Sequence, residues 1–124
     1  MKKIRALSWD LIDGVNESAR ACYPQEFICL LRQNDGVVDE MVLIPGTIYG
    51  DSHAFINMWM SPINLDISGT VHSHPGYSNE PSDDDLIFFS SWGGVHIITC
   101  QPYDRSSWKA YDSAGRELNL EMVD

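Results

Sequence analysis

The segment from His72 to Asp85 (HSHPGYSNEPSDDD) constrains the fold more than any other part of the chain. Residues two apart on a strand point to the same face, so His72 and His74 can present both imidazoles to one ion. Asp85 lies in the first turn of a predicted helix, and the intervening loop can fold back to bring its carboxylate to the same ion. Two histidines, one carboxylate and an open fourth position are typical of a catalytic zinc site rather than a structural one.

Each half of this segment also has a simpler structural explanation. Ser82-x-x-Asp85 matches the capping box of a helix N-terminus, where Asp83 and Asp84 would interact favourably with the helix dipole. An H-x-H pair alone is often just two polar residues on a strand face. The two halves together, with Pro75 fixing the turn after the histidines, favour a metal site, and the ligand types suit zinc.

A zinc hydrolase also needs a group that takes the proton of the attacking water. Glu26 is the candidate, because it falls in a predicted apolar strand (26–32) where a structural glutamate would be costly. The alternative is that Glu26 simply lies at the wet end of this strand, just after Pro24. The local residues do not decide between the two.

Helical and strand patterns alternate along the chain. Ser8 is placed to cap a helix over Trp9–Cys22, which Pro24 ends. A second helix is predicted over 82–92. Apolar runs bounded by turn signals predict strands at 26–32, 37–44, 53–57, 67–72 and 95–100 and a hairpin of 107–111 with 117–122. This order predicts an α/β or α+β domain with a mixed sheet and few helices.

Chain length and net charge limit the number of domains and the classes of partner that are expected. With 124 residues, the chain is expected to form a single domain over 1–124. The net charge of −10 would repel phosphate backbones, so a general nucleic-acid binder is not expected. A partner with lysine-rich patches would suit this charge.

The three cysteines and the N-terminal segment bear on location. Cys22, Cys29 and Cys100 form no C-x-x-C pair, and their odd number favours a reducing compartment. Asp10 and Asp13 interrupt the apolar stretch that follows the basic N-terminus, so no secretory segment is expected. No apolar run approaches the length of a membrane helix. The prediction is a cytoplasmic protein with no membrane association.

Three motifs together resemble the JAMM (MPN+) family of zinc metalloproteases. Pro24-Gln25-Glu26 precedes His72-Ser73-His74-Pro75, and six residues separate Pro75 from Ser82-x-x-Asp85, as in the family pattern of E, then H-[ST]-H-P-x(6)-S-x-x-D. The similarity extends through 69–71 before the motif and through 96–103 and 108–109 after it. It covers nearly the whole chain and is strongest to small single-domain archaeal JAMM proteins.

The resemblance implies a role for each matched residue. His72, His74 and Asp85 would bind one Zn²⁺ per chain, and a water would complete the tetrahedron. Glu26 would accept the proton of this water and deliver it to the leaving amine. Ser82 would donate a hydrogen bond to the developing oxyanion, a contact typically worth about 2.7–4 kcal/mol. The implied fold is an α/β domain with a curved mixed sheet flanked by helices, similar to cytidine deaminases.

The resemblance also implies a reaction and its partners. Family members hydrolyse an isopeptide or peptide bond after the C-terminal Gly-Gly of ubiquitin or a ubiquitin-like protein. Because the interval between Glu26 and His72 is short, the expected substrate is a small modifier on a lysine, or a sulfur-carrier protein with an adduct at its C-terminus. One alternative is release of an amino acid from a sulfur carrier in cysteine biosynthesis. Another is a non-catalytic MPN scaffold. A zinc deaminase would need H-x-E and P-C-x-x-C, which the chain lacks.

Other candidate residues have structural explanations. The cysteines are expected in the core, and His96, on an apolar strand, is expected to be a buried structural histidine. Met58, Trp59 and Met60 are either core or a docking surface beside the catalytic groove. For the Gly-Gly tail, the hypothesis is β-strand addition to an edge supplied by 53–62. The oligomeric state stays open.

Overall fold

The structure, a computed structural model, describes residues 3–42 and 67–124. These two ranges contain two helices and a set of short strands. The elements are β1 (Ala6–Ser8), α1 (Trp9–Cys22), β2 (Ile28–Asn34), β3 (Val37–Val42), β4 (Gly69–Ser73), α2 (Asp83–Trp92), β5 (Val95–Thr99), β6 (Trp108–Tyr111), β7 (Glu117–Leu118) and β8 (Glu121–Val123).

Helix α1 has the bounds that its sequence predicts. Ser8 is the N-cap, and its Oγ accepts hydrogen bonds from the backbone N–H groups of Asp10 (3.1 Å) and Leu11 (3.4 Å). These bonds satisfy two of the donors that a helix start leaves without intrahelical partners. The helix ends at Cys22, and Pro24 prevents its continuation.

The described strands form one sheet in the order β7-β6-β5-β4-β2-β3-β1-β8. Strand β1 runs parallel to β3 and β8, and β4 runs parallel to β5. The other neighbouring strands are antiparallel. The predicted mixed sheet is therefore confirmed, with β4 in its interior between β2 and β5.

The sheet is curled, as its edges show. Strands β7 and β8 lie at opposite ends of the strand order, yet only Asn119 and Leu120 connect them. Glu121 is three residues after Leu118, so their Cα atoms are at most about 11 Å apart and the two edges must approach each other. The prediction of one returning strand over 117–122 is therefore wrong in part. Glu117–Leu118 pairs with β6, whereas Glu121–Val123 pairs with β1.

The two helices cover opposite faces of the sheet. Along β2, Cys29 and Leu31 pack in the core that contains α1, and Ile28 and Leu30 pack in the core that contains α2. His72 is the register partner of Ile28, so its side chain lies on the α2 face. Neither α1 nor α2, the helices of the two described ranges, has the length and apolarity needed to cross a bilayer.

Other strand predictions differ from the structure in specific places. Strand β1 was not predicted, because three residues are too few for a recognisable alternation. Strand β2 begins at Ile28 rather than at Glu26, and β4 begins at Gly69 rather than at Ile67. The predicted strand 53–57, the end of 37–44, the Met58-Trp59-Met60 cluster and the proposed edge 53–62 lie outside the described residues.

The cysteines are free thiols with the burial expected of core residues. Cys29 and Cys100 are buried, and Cys22 is half-buried against the α1 core. Burial raises the pKa of the Cys29 thiol far above its usual value. The Cys100 Sγ lies 3.3 Å from the carbonyl oxygen of Ser107. These thiols therefore serve packing rather than nucleophilic chemistry.

Gly69→Ala is expected to destabilise the protein by about 3 kcal/mol, the upper end of the cost of overpacking. A Cβ at Gly69 would lie 1.7 Å from the carbonyl oxygen of Val95, its register partner in β5. Urea unfolding measures the loss. Gly76→Ala is the matched control, because its Cβ would meet nothing within 4 Å. Equal unfolding midpoints for the two variants would contradict this account of Gly69.

Candidate metal centre

Three predicted ligands meet where β4 ends and α2 begins. His72 is in β4, His74 is one residue past its end, and Asp85 is in the first turn of α2. The Nε2 atoms of His72 and His74 are 3.2 Å apart. Asp85 Oδ1 lies 3.2 Å from His72 Nε2, and Asp85 Oδ2 lies 3.1 Å from His74 Nε2. The predicted convergence of strand and helix is therefore observed.

These separations suit a tetrahedral metal ion. Zinc binds histidine nitrogen and carboxylate oxygen at about 2.0–2.1 Å, so two ligand atoms at the corners of its tetrahedron are about 3.3 Å apart. The two histidine Nε2 atoms, 3.2 Å apart, are close to this edge length, and each of them has a different Asp85 carboxylate oxygen at 3.1–3.2 Å. Two nitrogens and a carboxylate are also a donor set that suits zinc. The residues present therefore fit this metal.

The orientation of His74 leaves one nitrogen directed at the centre. Its Nδ1 lies 2.9 Å from the backbone carbonyl oxygen of Ser78. Because a carbonyl oxygen can only accept, Nδ1 carries a proton. Nε2, which lies 3.1 Å from Asp85 Oδ2, is therefore the nitrogen that would bind a metal once it carries no proton. Such a hydrogen bond on the far nitrogen commonly orients a ligating histidine. The loop after the H-x-H pair thus selects the tautomer that a metal needs.

The electrostatics of the centre favour a cation. Burial raises the pKa of Asp85, but hydrogen bonds from His72 and His74 outweigh it and hold this pKa well below the usual range. Burial lowers the pKa of His74, but the hydrogen bonds with Asp85 and Ser78 and the nearby Glu26 carboxylate leave it raised overall. An ionised carboxylate therefore faces two imidazoles.

The helix cap and the centre share the same residues. Ser82 Oγ accepts from the backbone N–H of Asp85 (3.1 Å), and Asp85 Oδ2 accepts from the backbone N–H of Ser82 (2.9 Å). This is the capping box that offered the simpler explanation of Ser82-x-x-Asp85. Since Asp85 also faces both histidines, the cap and the metal site are compatible. Ser82 uses its oxygen as an acceptor, so its O–H can still donate.

Glu26 reaches the centre by a different route from the one predicted. It lies before β2 and is half-exposed, so the argument from a costly buried glutamate is wrong. Its neighbour Phe27 exchanges hydrogen bonds with Ser73, through Phe27 N–H to Ser73 Oγ (2.8 Å) and Ser73 N–H to the Phe27 carbonyl (3.0 Å). A Glu26 carboxylate oxygen lies within 4.8 Å of a ring nitrogen of both His72 and His74. Glu26 is thus at the wet end of the strand and beside the centre.

His96 is the buried structural histidine that its apolar strand predicts. It is fully buried, its ring stacks on Phe89 at 4.4 Å between centroids, and its Nδ1 lies 2.7 Å from Thr70 Oγ1. Burial lowers its pKa to about 4, so its ring is neutral at physiological pH.

Several residues that support the metal centre were not predicted from the sequence. Thr99 of β5 and Tyr103 of the loop after β5 bind the backbone of His74, and Asn16 of α1 accepts a hydrogen bond from the Thr99 hydroxyl. Each is far from His74 in sequence, and no motif connects them. Ser73 could have been identified from the sequence, because the family pattern restricts the residue between the two histidines to serine or threonine.

Comparison with known sequences identifies relatives over most of the chain. A family model described as prokaryotic homologues of the JAB domain matches residues 10–111. A relative from Haloferax volcanii, described as a probable metalloprotease, is 32% identical over 133 aligned positions. The alignment covers 99% of this chain and 82% of that protein.

Solved structures share both fold and sequence with the chain. One, described as "JAMM: a metalloprotease-like zinc site in the proteasome and signalosome", has a TM-score of 0.78 and 36% identity, covering 98% of this chain and 100% of its own. A JAB1/MPN domain protein from Archaeoglobus fulgidus has a TM-score of 0.79 and 39% identity, covering 96% and 99%. The fold class predicted from the resemblance is therefore confirmed.

Proposed function

The chain belongs to the prokaryotic JAB-domain family, and we propose that it is a zinc-dependent metalloprotease with isopeptidase activity. The substrate would be a conjugate of a small ubiquitin-like modifier, cut after its C-terminal Gly-Gly. The observation that carries the proposal is the convergence of the His72 and His74 Nε2 atoms and the Asp85 carboxylate within 3.1–3.2 Å, with the Glu26 carboxylate beside them. Zinc as the metal agrees with this donor set and with the zinc site described for the structural neighbour.

The three ligands would each contribute a donor already aimed at the centre. His72 supplies Nε2 from an interior strand, His74 supplies Nε2 with its tautomer set by Ser78, and Asp85 supplies a carboxylate held at the helix start. A zinc ion bound there supplies Lewis-acid chemistry, lowering the pKa of a water and polarising the scissile carbonyl.

Two further side chains would handle the proton and the developing charge. Glu26 lies near enough to His72 and His74 to contribute to a metal site itself, but the resemblance assigns the ligand roles to His72, His74 and Asp85. We therefore assign the Glu26 carboxylate to taking the proton of the attacking water and passing it to the leaving amine. Ser82 would donate its hydroxyl proton to the oxyanion that forms when the carbonyl is attacked. Its exposure and the use of its Oγ as an acceptor, which leaves the O–H proton to donate, support this role.

The modifier as substrate is supported by the resemblance and by the chemistry of a Gly-Gly tail. Glycine lets the backbone approach a metal closely, because no Cβ intervenes. The relative described as a probable metalloprotease supports proteolysis as the reaction class. The acidic chain, with a net charge of −10, suits a conjugate in which the modified lysine lies among other basic residues.

The deciding experiment is a substrate panel with and without a zinc chelator. One arm presents small modifiers of the host joined through Gly-Gly to a lysine Nε, and the other presents sulfur-carrier proteins extended at the C-terminus by an amino acid. Mass spectrometry would detect release of the free modifier, and the chelator should abolish it. Cleavage in the second arm alone would assign the sulfur-carrier reaction. Zinc binding without cleavage in either arm would leave a scaffold role.

Ser82→Ala is expected to lower kcat by about 10²–10³-fold, the usual cost of losing one oxyanion donor. Zinc content should be unchanged, because Ser82 is not among the ligands. The lost cap should also reduce stability by about 1 kcal/mol. Ser82→Thr is the matched control, since threonine can both cap the helix and donate, and it should recover most of the rate. If Ser82→Ala kept its full kcat, Ser82 would be a helix cap alone.

A further inference from the structure

The position of His74 creates a structural need that the strand itself does not meet. His72 lies in β4, where ladder partners on both sides fix its backbone through β2 and β5. His74 lies one residue past the end of β4. A ligand beyond the end of a strand loses the ladder that would hold its backbone and therefore its ring.

Contacts from elsewhere in the fold replace that ladder. The backbone N–H of His74 donates to the Thr99 carbonyl (2.8 Å), and the Tyr103 hydroxyl donates to the His74 carbonyl (2.9 Å). The ring Nδ1 is bound by the Ser78 carbonyl. The backbone N–H, the carbonyl and Nδ1 of His74 are thus all bound by residues outside the metal centre, and Tyr103 provides the bond to the carbonyl.

Tyr103 is itself held in an uncommon backbone conformation. Its φ is 59°, in the left-handed region that bulky residues rarely adopt. Its N–H donates to the Cys100 carbonyl (2.8 Å), and the Arg20 guanidinium donates to its carbonyl. Its side chain is 4% exposed. Such conformations persist where the surroundings over-determine them, and they concentrate at functional sites.

We propose that Tyr103 is a positioning residue of the metal site, whose hydroxyl holds the main-chain carbonyl of His74 and thereby aims His74 Nε2 at the metal. The role needs a protonated hydroxyl. A tyrosine hydroxyl keeps its proton at physiological pH, so the donor is present. The inference rests on the proposed zinc site.

The test compares two tyrosines that make the same bond. Tyr111 is 2% exposed, and its hydroxyl donates to a backbone carbonyl at 2.9 Å, but that carbonyl belongs to Asn79. Tyr103→Phe and Tyr111→Phe each remove one hydroxyl and keep the ring. Zinc affinity of the whole protein is measured by competition with a chromogenic chelator, and thermal unfolding of the zinc-free protein is measured beside it.

Tyr103→Phe should weaken zinc binding by about 10-fold or more, as loss of an outer contact to a ligand typically does. Tyr111→Phe should bind zinc like the wild type. The two variants should lose similar thermal stability. The visible absorption of cobalt-substituted protein should change only in Tyr103→Phe, because it reports ligand geometry rather than stability.

The experiment distinguishes a failure of the role proposed for Tyr103 from a failure of the proposed zinc site. Wild-type affinity and an unchanged cobalt spectrum in Tyr103→Phe would overturn the role of Tyr103, as would equal effects of both variants. A wild-type protein that binds no zinc, or that keeps it in His74→Ala, would instead overturn the proposed site.

Discussion

Glu26→Gln should abolish measurable hydrolysis while zinc content and thermal stability stay at wild-type values. The amide cannot accept the proton of the attacking water, and loss of a general base typically lowers kcat by about 10²–10⁴-fold. The side chain is half-exposed and precedes β2, so the fold does not depend on its charge. Steady-state kinetics on the modifier conjugate, with zinc analysis of the same sample, would measure both quantities.

The matched control for Glu26→Gln is Glu80→Gln. It makes the same chemical change in the loop between His74 and Ser82, at a residue that pairs with Lys109 at 3.0 Å. The Glu80 variant should keep its activity, which would show that the effect is not a general consequence of losing negative charge. If Glu26→Gln retained most of the wild-type kcat, another residue would have to be the base.

His74→Ala should remove most of the zinc and with it the activity. A three-ligand site reduced to two ligands loses most of its affinity, so metal content is expected to fall from about one zinc per chain to a small fraction of that. Elemental analysis after dialysis against a weak chelator would measure the loss. Restored activity at saturating zinc would indicate that His74 serves affinity alone.

Asp84→Asn is the control for the ligand assignment. Asp84 is exposed and adjacent to Asp85, but of these two aspartates it is Asp85 that faces both histidines. The Asp84 variant should keep its zinc. Loss of metal from it, or full occupancy in His74→Ala, would contradict the assignment of His72, His74 and Asp85.

Local signals predicted the helices and the convergence of the site. Helix α1 follows from a cap, an apolar stripe and a terminating proline, which all lie within residues 8–24. The approach of Asp85 to the histidines follows from a strand period, a helix start and the loop between them. These features depend on neighbours in sequence, and the family resemblance added the identity of Glu26.

Features that depend on distant residues were not predictable in the same way. Strand β1 is held between β3 and β8, and its partner Glu121–Val123 lies near the other end of the chain. The bond from Tyr103 to His74 depends on how the loop after β5 folds back over β4. The exposure of Glu26 depends on where β2 starts to pair with β4. Pairing over such distances leaves no periodicity or motif that a single sequence displays.

Asp85 belongs both to the capping box of α2 and to the proposed metal site, and this affects how the metal is bound. A side chain that binds a metal ordinarily loses rotamer freedom in doing so, and this ordering subtracts from the affinity. Here the Ser82 backbone N–H immobilises the Asp85 carboxylate as soon as the helix forms. The entropy is therefore lost during folding, and the zinc-free protein presents a rigid corner to the incoming ion. Capture of the metal should then require the ion to shed water, with little rearrangement of the helix.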